Sequence, residues 1–174
     1  MKNTRAGFTL IELLVVIAVI GILASVVLAS LNSARVKARN AKRVSEFKTV
    51  ITAFNLGIDG SGGLPLATSN AWHCVTATCY GGWAAYGANA TVDAFLAPYL
   101  PTKPIDPPNG RSGYGGFLYN GAWPGGVWTD GVTRPTGAVL QFLAETPQGP
   151  NSCGPAIVYS VNADYVTCIG YIAQ

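Results

Sequence analysis

Charge is scarce in this chain of 174 residues: only 11% are Asp, Glu, Lys or Arg, and there is one histidine, His73. With 49% apolar residues, so little charge excludes a disordered, self-solvating chain. A single histidine excludes a histidine-rich metal centre. Any Ser-His-Asp or Cys-His arrangement would have to use His73, whose neighbour Cys74 is better placed in a disulfide. No Gly-x-x-x-x-Gly-Lys run occurs, and the Gly-Gly pairs beginning at Gly62, Gly81, Gly115 and Gly125 lie in turn-like contexts, so no phosphate cradle is expected. Zinc ligation is disfavoured because no two cysteines stand in Cys-x-x-Cys spacing. An enzyme is therefore not expected, nor a cofactor or a resident metal.

What the chain does have is a long apolar run. The nineteen residues from Leu13 to Leu31 carry no charge, and as a helix they would extend roughly 28 Å, about the thickness of a bilayer core. Just before them stands Glu12, a carboxylate at the mouth of a membrane-length segment. A charge inside hydrocarbon costs about 2.5 to 3.5 kcal/mol at the bilayer centre and less near an end, so Glu12 calls for a functional reason. A secretory signal would place its small cleavage residue after the apolar run. Here Gly7 lies before it, so a cut there leaves the helix on the mature chain.

The run Gly7-Phe8-Thr9-Leu10-Ile11-Glu12-Leu13, after a short basic leader and before a long apolar helix, resembles the class III signal of bacterial type IV pilins and of type II secretion pseudopilins. The resemblance covers about the first third of the chain. It implies that a prepilin peptidase cuts between Gly7 and Phe8 and methylates the new amine of Phe8. It also implies that Glu12 pairs with the Phe8 amine of a neighbouring subunit and sets helix register in a homopolymer raised by an inner-membrane assembly platform. The simpler alternative for Glu12 is a residue of the first helical turns, favoured by the helix dipole and reaching to the headgroups. Relatives often carry a proline beyond a mid-membrane glycine; here Gly21 is present but Ala29 stands at the proline position, so melting of the helix near Gly21 is less supported.

The charge is divided. Arg35, Lys37, Arg39, Lys42 and Arg43 follow the apolar run, whereas beyond Val44 seven acids face four bases, a basic neck before an acidic head. The positive-inside rule alone would keep the neck in the cytoplasm. The opposite orientation is preferred because four cysteines in a small, loop-rich domain suit an oxidising compartment. The leader also resembles one whose basic end stays inside. The neck would then meet membrane lipid or acidic heads of neighbours; nucleic acid is a less common partner for such a run. Four cysteines allow three connectivities, of which Cys74 with Cys79 and Cys153 with Cys168 is favoured by the short first loop and by strand-like segments between the second pair.

The expected fold is α+β: a leader at 1–7, a long helix over 8–56 whose part 8–34 serves as transmembrane segment and filament core, and a globular head at 57–174. Val44, Phe47, Ile51 and Phe54 form a helical stripe suited to packing on a sheet, with Gly57 as the expected left-handed stop. Trp72 to Gly87 reads as a cross-linked loop, and Thr91 to Leu100 as a short helix with Thr91 as its cap. Val139 to Leu143, Ile157 to Val161 and Tyr165 to Ile172 read as antiparallel strands, with the glycine-weakened Gly113 to Asn120 as a fourth.

The stretch Leu100-Pro101 to Asp106-Pro107 resembles the proline-rich approach to the first strand of major pseudopilins, in which late-loop carboxylates bind calcium. Asp130 and Asp164 lack recognisable calcium-loop spacing and read as solvated turns. Trp72, Trp83, Trp123 and Trp128 read as core before adhesive face. Asn89-Ala90-Thr91 matches a glycosylation acceptor, a pattern common by chance. The expected function is that of a pilin, the structural subunit of an extracellular filament. The alternatives are a major pseudopilin of a secretion or DNA-uptake system and a single-pass anchored binding or adhesive protein.

Overall fold

The computed structural model describes residues 7–81, 85–107, 114–127, 131–146 and 150–172. Its contacts divide the chain into two compact units, Met1–Arg35 and Val36–Gln174. Helix α1 is assigned to Leu10–Ser61 and so contributes to both. In the amino-terminal unit it is the membrane-length segment, long and apolar enough to cross a bilayer, with Leu13, Val16, Ile20, Leu23, Val27 and Leu31 all exposed.

The head unit buries one face of α1. Phe47, Val50 and Phe54 are sunk in the core, with Val44 and Ile51 at its margin, so the stripe centres on Val50 rather than on Ile51. The helix does not stop at Gly57. It runs to Ser61, and Gly62, at φ +77°, supplies the left-handed exit, its N–H donating to Ile58 O at 2.8 Å. Gly57 stays helical because the Phe95 ring lies on it: a Cβ there would meet Phe95 Cζ at 2.4 Å. Its role is close packing, not termination.

Helix α2, Ala90–Leu96, supplies that ring. Its cap is Asn89, whose Oδ1 accepts from the N–H groups of Thr91 and Val92 at 2.9 and 3.4 Å. Thr91, the expected cap, is therefore already inside the helix. Two residues earlier in sequence, Asn89 has the short polar side chain best suited to this geometry.

Among the described residues ten strands follow α1 in the head: β1 His73–Cys74, β2 Cys79–Gly81, β3 Ala85–Tyr86, β4 Tyr114–Gly115, β5 Leu118–Trp123, β6 Gly126–Val127, β7 Thr133–Arg134, β8 Gly137–Glu145, β9 Ile157–Val161 and β10 Tyr165–Tyr171. The main sheet has the order β1-β5-β8-β10-β9, antiparallel throughout. β9 and β10 form a hairpin closed by Asn162 N–H donating to Tyr165 O at 2.9 Å. The stretch expected to cross-link as a loop contains three strands, and β3-β2-β4 form a small second sheet. The expected strand Gly113 to Asn120 is broken in two, and Gly113 lies outside the described residues. Gly116, at φ +91°, turns the chain between β4 and β5, where a Cβ would meet Thr76 Oγ1 at 2.6 Å.

Successive residues of β8 point to opposite faces. Leu140 and Phe142 join Phe117, Tyr119, Val166 and Cys168 under α1. Val139 instead joins Trp123 and Ile169, with Trp72, Tyr159 and Tyr171 packed against them. Trp123 meets Tyr159 edge-on at 6.2 Å and is buried, which is the behaviour of core. Trp83 and Trp128 lie outside the described residues.

Disulfides join Cys74 to Cys79 and Cys153 to Cys168. The second holds the turn Pro150–Cys153 against the middle of β10, and both sulfurs are buried. Replacing this pair, Cys153→Ala with Cys168→Ala, is expected to cost about 3 kcal/mol for a loop of that length. Thermal unfolding followed by circular dichroism should shift down by roughly 10 °C. An unchanged transition would show that the bridge constrains nothing.

Candidate functional site

The amino-terminal motif is fully exposed. Among the described residues, no atom comes within 4 Å of where a Cβ on Gly7 would stand, so none of them requires glycine there. A requirement for a small residue must come from outside the folded chain. Phe8 is 82% exposed, which leaves the Gly7–Phe8 bond open to an enzyme.

Thr9 and Glu12 then start the helix as a reciprocal pair. Glu12 N–H donates to Thr9 Oγ1 at 3.3 Å, and Glu12 Oε2 accepts from Thr9 N–H at 2.9 Å and from the Thr9 hydroxyl at 2.7 Å. This is a capping box, Thr-x-x-Glu, which satisfies two of the orphan groups at a helix start. Glu12 lies in the first turn of α1, and it also closes the cap, a role its sequence alternative did not include. Only Oε2 is used, however, and Oε1 accepts nothing among the described residues. One oxygen fixes the side chain while the other remains available to a cation.

The second constellation is one the sequence did not foretell. The basic neck reads as a solvated or lipid-facing run, yet two of its five members turn inward within the head unit. Arg43, with its side chain 1% exposed, donates from Nε to Asp106 Oδ1 at 2.6 Å, from Nη1 to Glu145 Oε1 at 2.7 Å and to Asn40 Oδ1 at 2.9 Å, and from Nη2 to Pro107 O at 2.8 Å. Arg39 forks onto both oxygens of Glu145. Asn40 clamps the main chain of Glu145 through two further bonds, and Asp106 Oδ2 accepts from Gly116 N–H at 2.8 Å. One guanidinium thus ties α1 to the end of β8 and to the proline-rich loop. The signal was present: 36, 40, 43, 47, 50 and 54 continue the buried stripe backwards at spacings of three and four, which places Arg43 under the sheet rather than in water.

Burial pushes the Glu145 carboxyl up, but hydrogen bonds from Arg39 and Arg43 and their charges outweigh it and hold the group below its ordinary 4.5. A carboxyl whose pKa is lower folded than unfolded binds more protons when unfolded, so its contribution is complete above the unfolded value and is lost as pH falls through the folded one. The melting temperature is expected to stay flat from pH 7 to 5 and to fall below about pH 4. Glu145→Gln should flatten that fall, and an equal fall in the variant would remove Glu145 from the acid response.

The remaining candidates are not assembled into a site. His73 lies in β1, its Nε2 buried and without a hydrogen-bond partner among the described residues, beside the disulfide-bonded Cys74. Asp164 is exposed in the hairpin turn between β9 and β10, and Asp130 lies outside the described residues. No cluster of three His, Cys, Asp or Glu able to hold a metal occurs among the described residues.

No curated protein and no solved structure matches the chain. Residues 2–28 match a family model described as the prokaryotic N-terminal methylation motif, and they span the exposed Gly7–Phe8 bond, the Thr9–Glu12 capping box and most of the apolar run. The chain therefore carries the class III prepilin signal of type IV pilins and pseudopilins.

Proposed function

We propose that this protein is the structural subunit of a type IV pilus-like filament: held in the inner membrane by Leu13 to Leu31, cut after Gly7, methylated on Phe8 and polymerised through α1 with the head outside the cytoplasm. The observation that carries the proposal is the exposed, membrane-length face of α1 opening directly behind a capped Glu12 and an unhindered Gly7–Phe8 bond. Outside a bilayer that face must be covered by other copies, since exposed apolar surface costs about 25 cal/mol per Å². Two disulfides in the head support an oxidising side. The inward-facing Arg39 and Arg43 ease the conflict with the positive-inside rule, because their charge in the folded head is balanced by Glu145 and Asp106.

Gly7→Leu tests the processing step without disturbing the described fold, because no described residue surrounds that position. The wild-type chain is expected to begin at Phe8 with a methylated amine, and the variant to keep its leader quantitatively and to be absent from sheared surface filaments. Intact-mass and amino-terminal determination of both proteins, with electron microscopy of the sheared fraction, decides it. A wild-type chain that still begins at Met1 would leave an anchored, unpolymerised protein as the better reading.

A further inference from the structure

We infer that Lys37 and Lys42 are a docking surface for anionic lipid headgroups; this rests on the reading that Leu13 to Leu31 spans a bilayer. Of the basic residues that open the head unit, Arg39 and Arg43 are consumed by Glu145 and Asp106. Lys37 and Lys42 are exposed, and neither is paired with an acid among the described residues. From Leu13 to Ser45 the chain holds no Asp or Glu, and Glu46, one helical turn beyond Lys42, forms no ion pair with it. The structure thus sorts the basic residues at 37–43 into inward arginines, which use their forks on fixed carboxylates, and outward lysines, mobile point charges on long apolar stems suited to a fluid interface; Arg35, just before them, is exposed as well.

Position selects the partner. Lys37 follows Leu31 by six residues, a reach of at most about 20 Å even fully extended, so it cannot leave the neighbourhood of the membrane surface. Lys42 lies a further 7 to 8 Å of helix rise along α1. An anionic leaflet attracts basic side chains over about a Debye length, so the first exposed lysines after the apolar run are the ones it acts on most. Lys48 is exposed too, but about 9 Å of rise beyond Lys42, and serves as an internal control.

The test uses the full chain reconstituted in phosphatidylcholine vesicles containing phosphatidylglycerol. Flotation establishes insertion, and acyl-chain spin-labelled lipids report the preference for phosphatidylglycerol through their motionally restricted fraction. Lys37→Gln with Lys42→Gln is expected to lower the wild-type preference by roughly fivefold or more at low salt. Lys48→Gln should leave it unchanged, and 1 M salt should erase the difference. Lys2, Arg5 and the exposed Arg35 are the same in every variant, so their contribution cancels. An inserted double variant with wild-type preference would overturn the proposal, as would a Lys48→Gln effect as large as the double variant's, which would mean diffuse charge. Self-association in neutral vesicles that the double variant abolishes would reassign the lysines to a second copy and overturn it likewise. A chain that does not float would overturn the spanning reading, and the lipid surface with it.

Discussion

Glu12→Ala is expected to be trimmed at Gly7 and methylated as in the wild type, and then to accumulate in the membrane with almost no filament. The cleavage bond lies outside the capping box, so the peptidase meets the same exposed Gly7–Phe8 segment. Under the proposed pairing of each Phe8 amine with Glu12 of a neighbouring copy, assembly loses that counter-charge. Breaking a buried pair by removing one partner costs about 3 to 5 kcal/mol, which is a hundredfold or more in an association constant. The cap must be separated from the charge. Glu12→Gln keeps an oxygen for Thr9 and loses the charge, whereas Thr9→Val keeps the charge and loses the hydroxyl that Glu12 binds. The pairing account expects the first to fail like alanine and the second to assemble with a modest loss. The measurement is filament protein in the sheared fraction against processed subunit in the membrane. Normal filaments from Glu12→Gln would reduce Glu12 to a helix cap.

Arg43→Met should be the most damaging single change in the head. It leaves Asp106 and Glu145 facing one another's surroundings with only Arg39, Asn40 and Gly116 to answer them, and a stranded buried charge costs about 3 to 5 kcal/mol. The melting temperature should fall by roughly 10 to 20 °C. Arg43→Lys should rescue little, because Nε, Nη1 and Nη2 each serve a different partner and one ammonium cannot span that fork. Lys42→Met, next door but exposed, should change stability by about 0.5 kcal/mol or less. Comparable melting curves for the two methionine variants would show that the network is ornamental.

The amino-terminal motif and the fold class were legible because each rests on local pattern: an uncharged run of membrane length, a Gly before it, a stripe at helical spacing and three alternating strands. The three strongest strand readings agree with β8, β9 and β10 to within two residues at each end. Failures came where a residue answers to something distant in sequence. Gly57 looks like a helix stop, but Phe95 needs its missing side chain. Gly113 to Asn120 looks like one strand, but Gly116 must turn beside Thr76 and Cys79. Arg39 and Arg43 look like a solvated run until Glu145, more than a hundred residues on, is brought to them. Composition reports how many charges there are, not which of them meet.

Arg43 finds Asp106 at a separation of 63 residues and Glu145 at 102, and β10, the last of the described strands, is also a neighbour of central β8. The order of synthesis makes this costly in time. While the ribosome is still producing the middle of the chain, Phe47, Val50 and Phe54 have no sheet to cover them and Arg43 has no acid to meet. Non-local closure of this kind is slow and leaves sticky intermediates. The newly made chain therefore has an interval, lasting until β10 pairs with β8, in which quality control can distinguish it from a folded head.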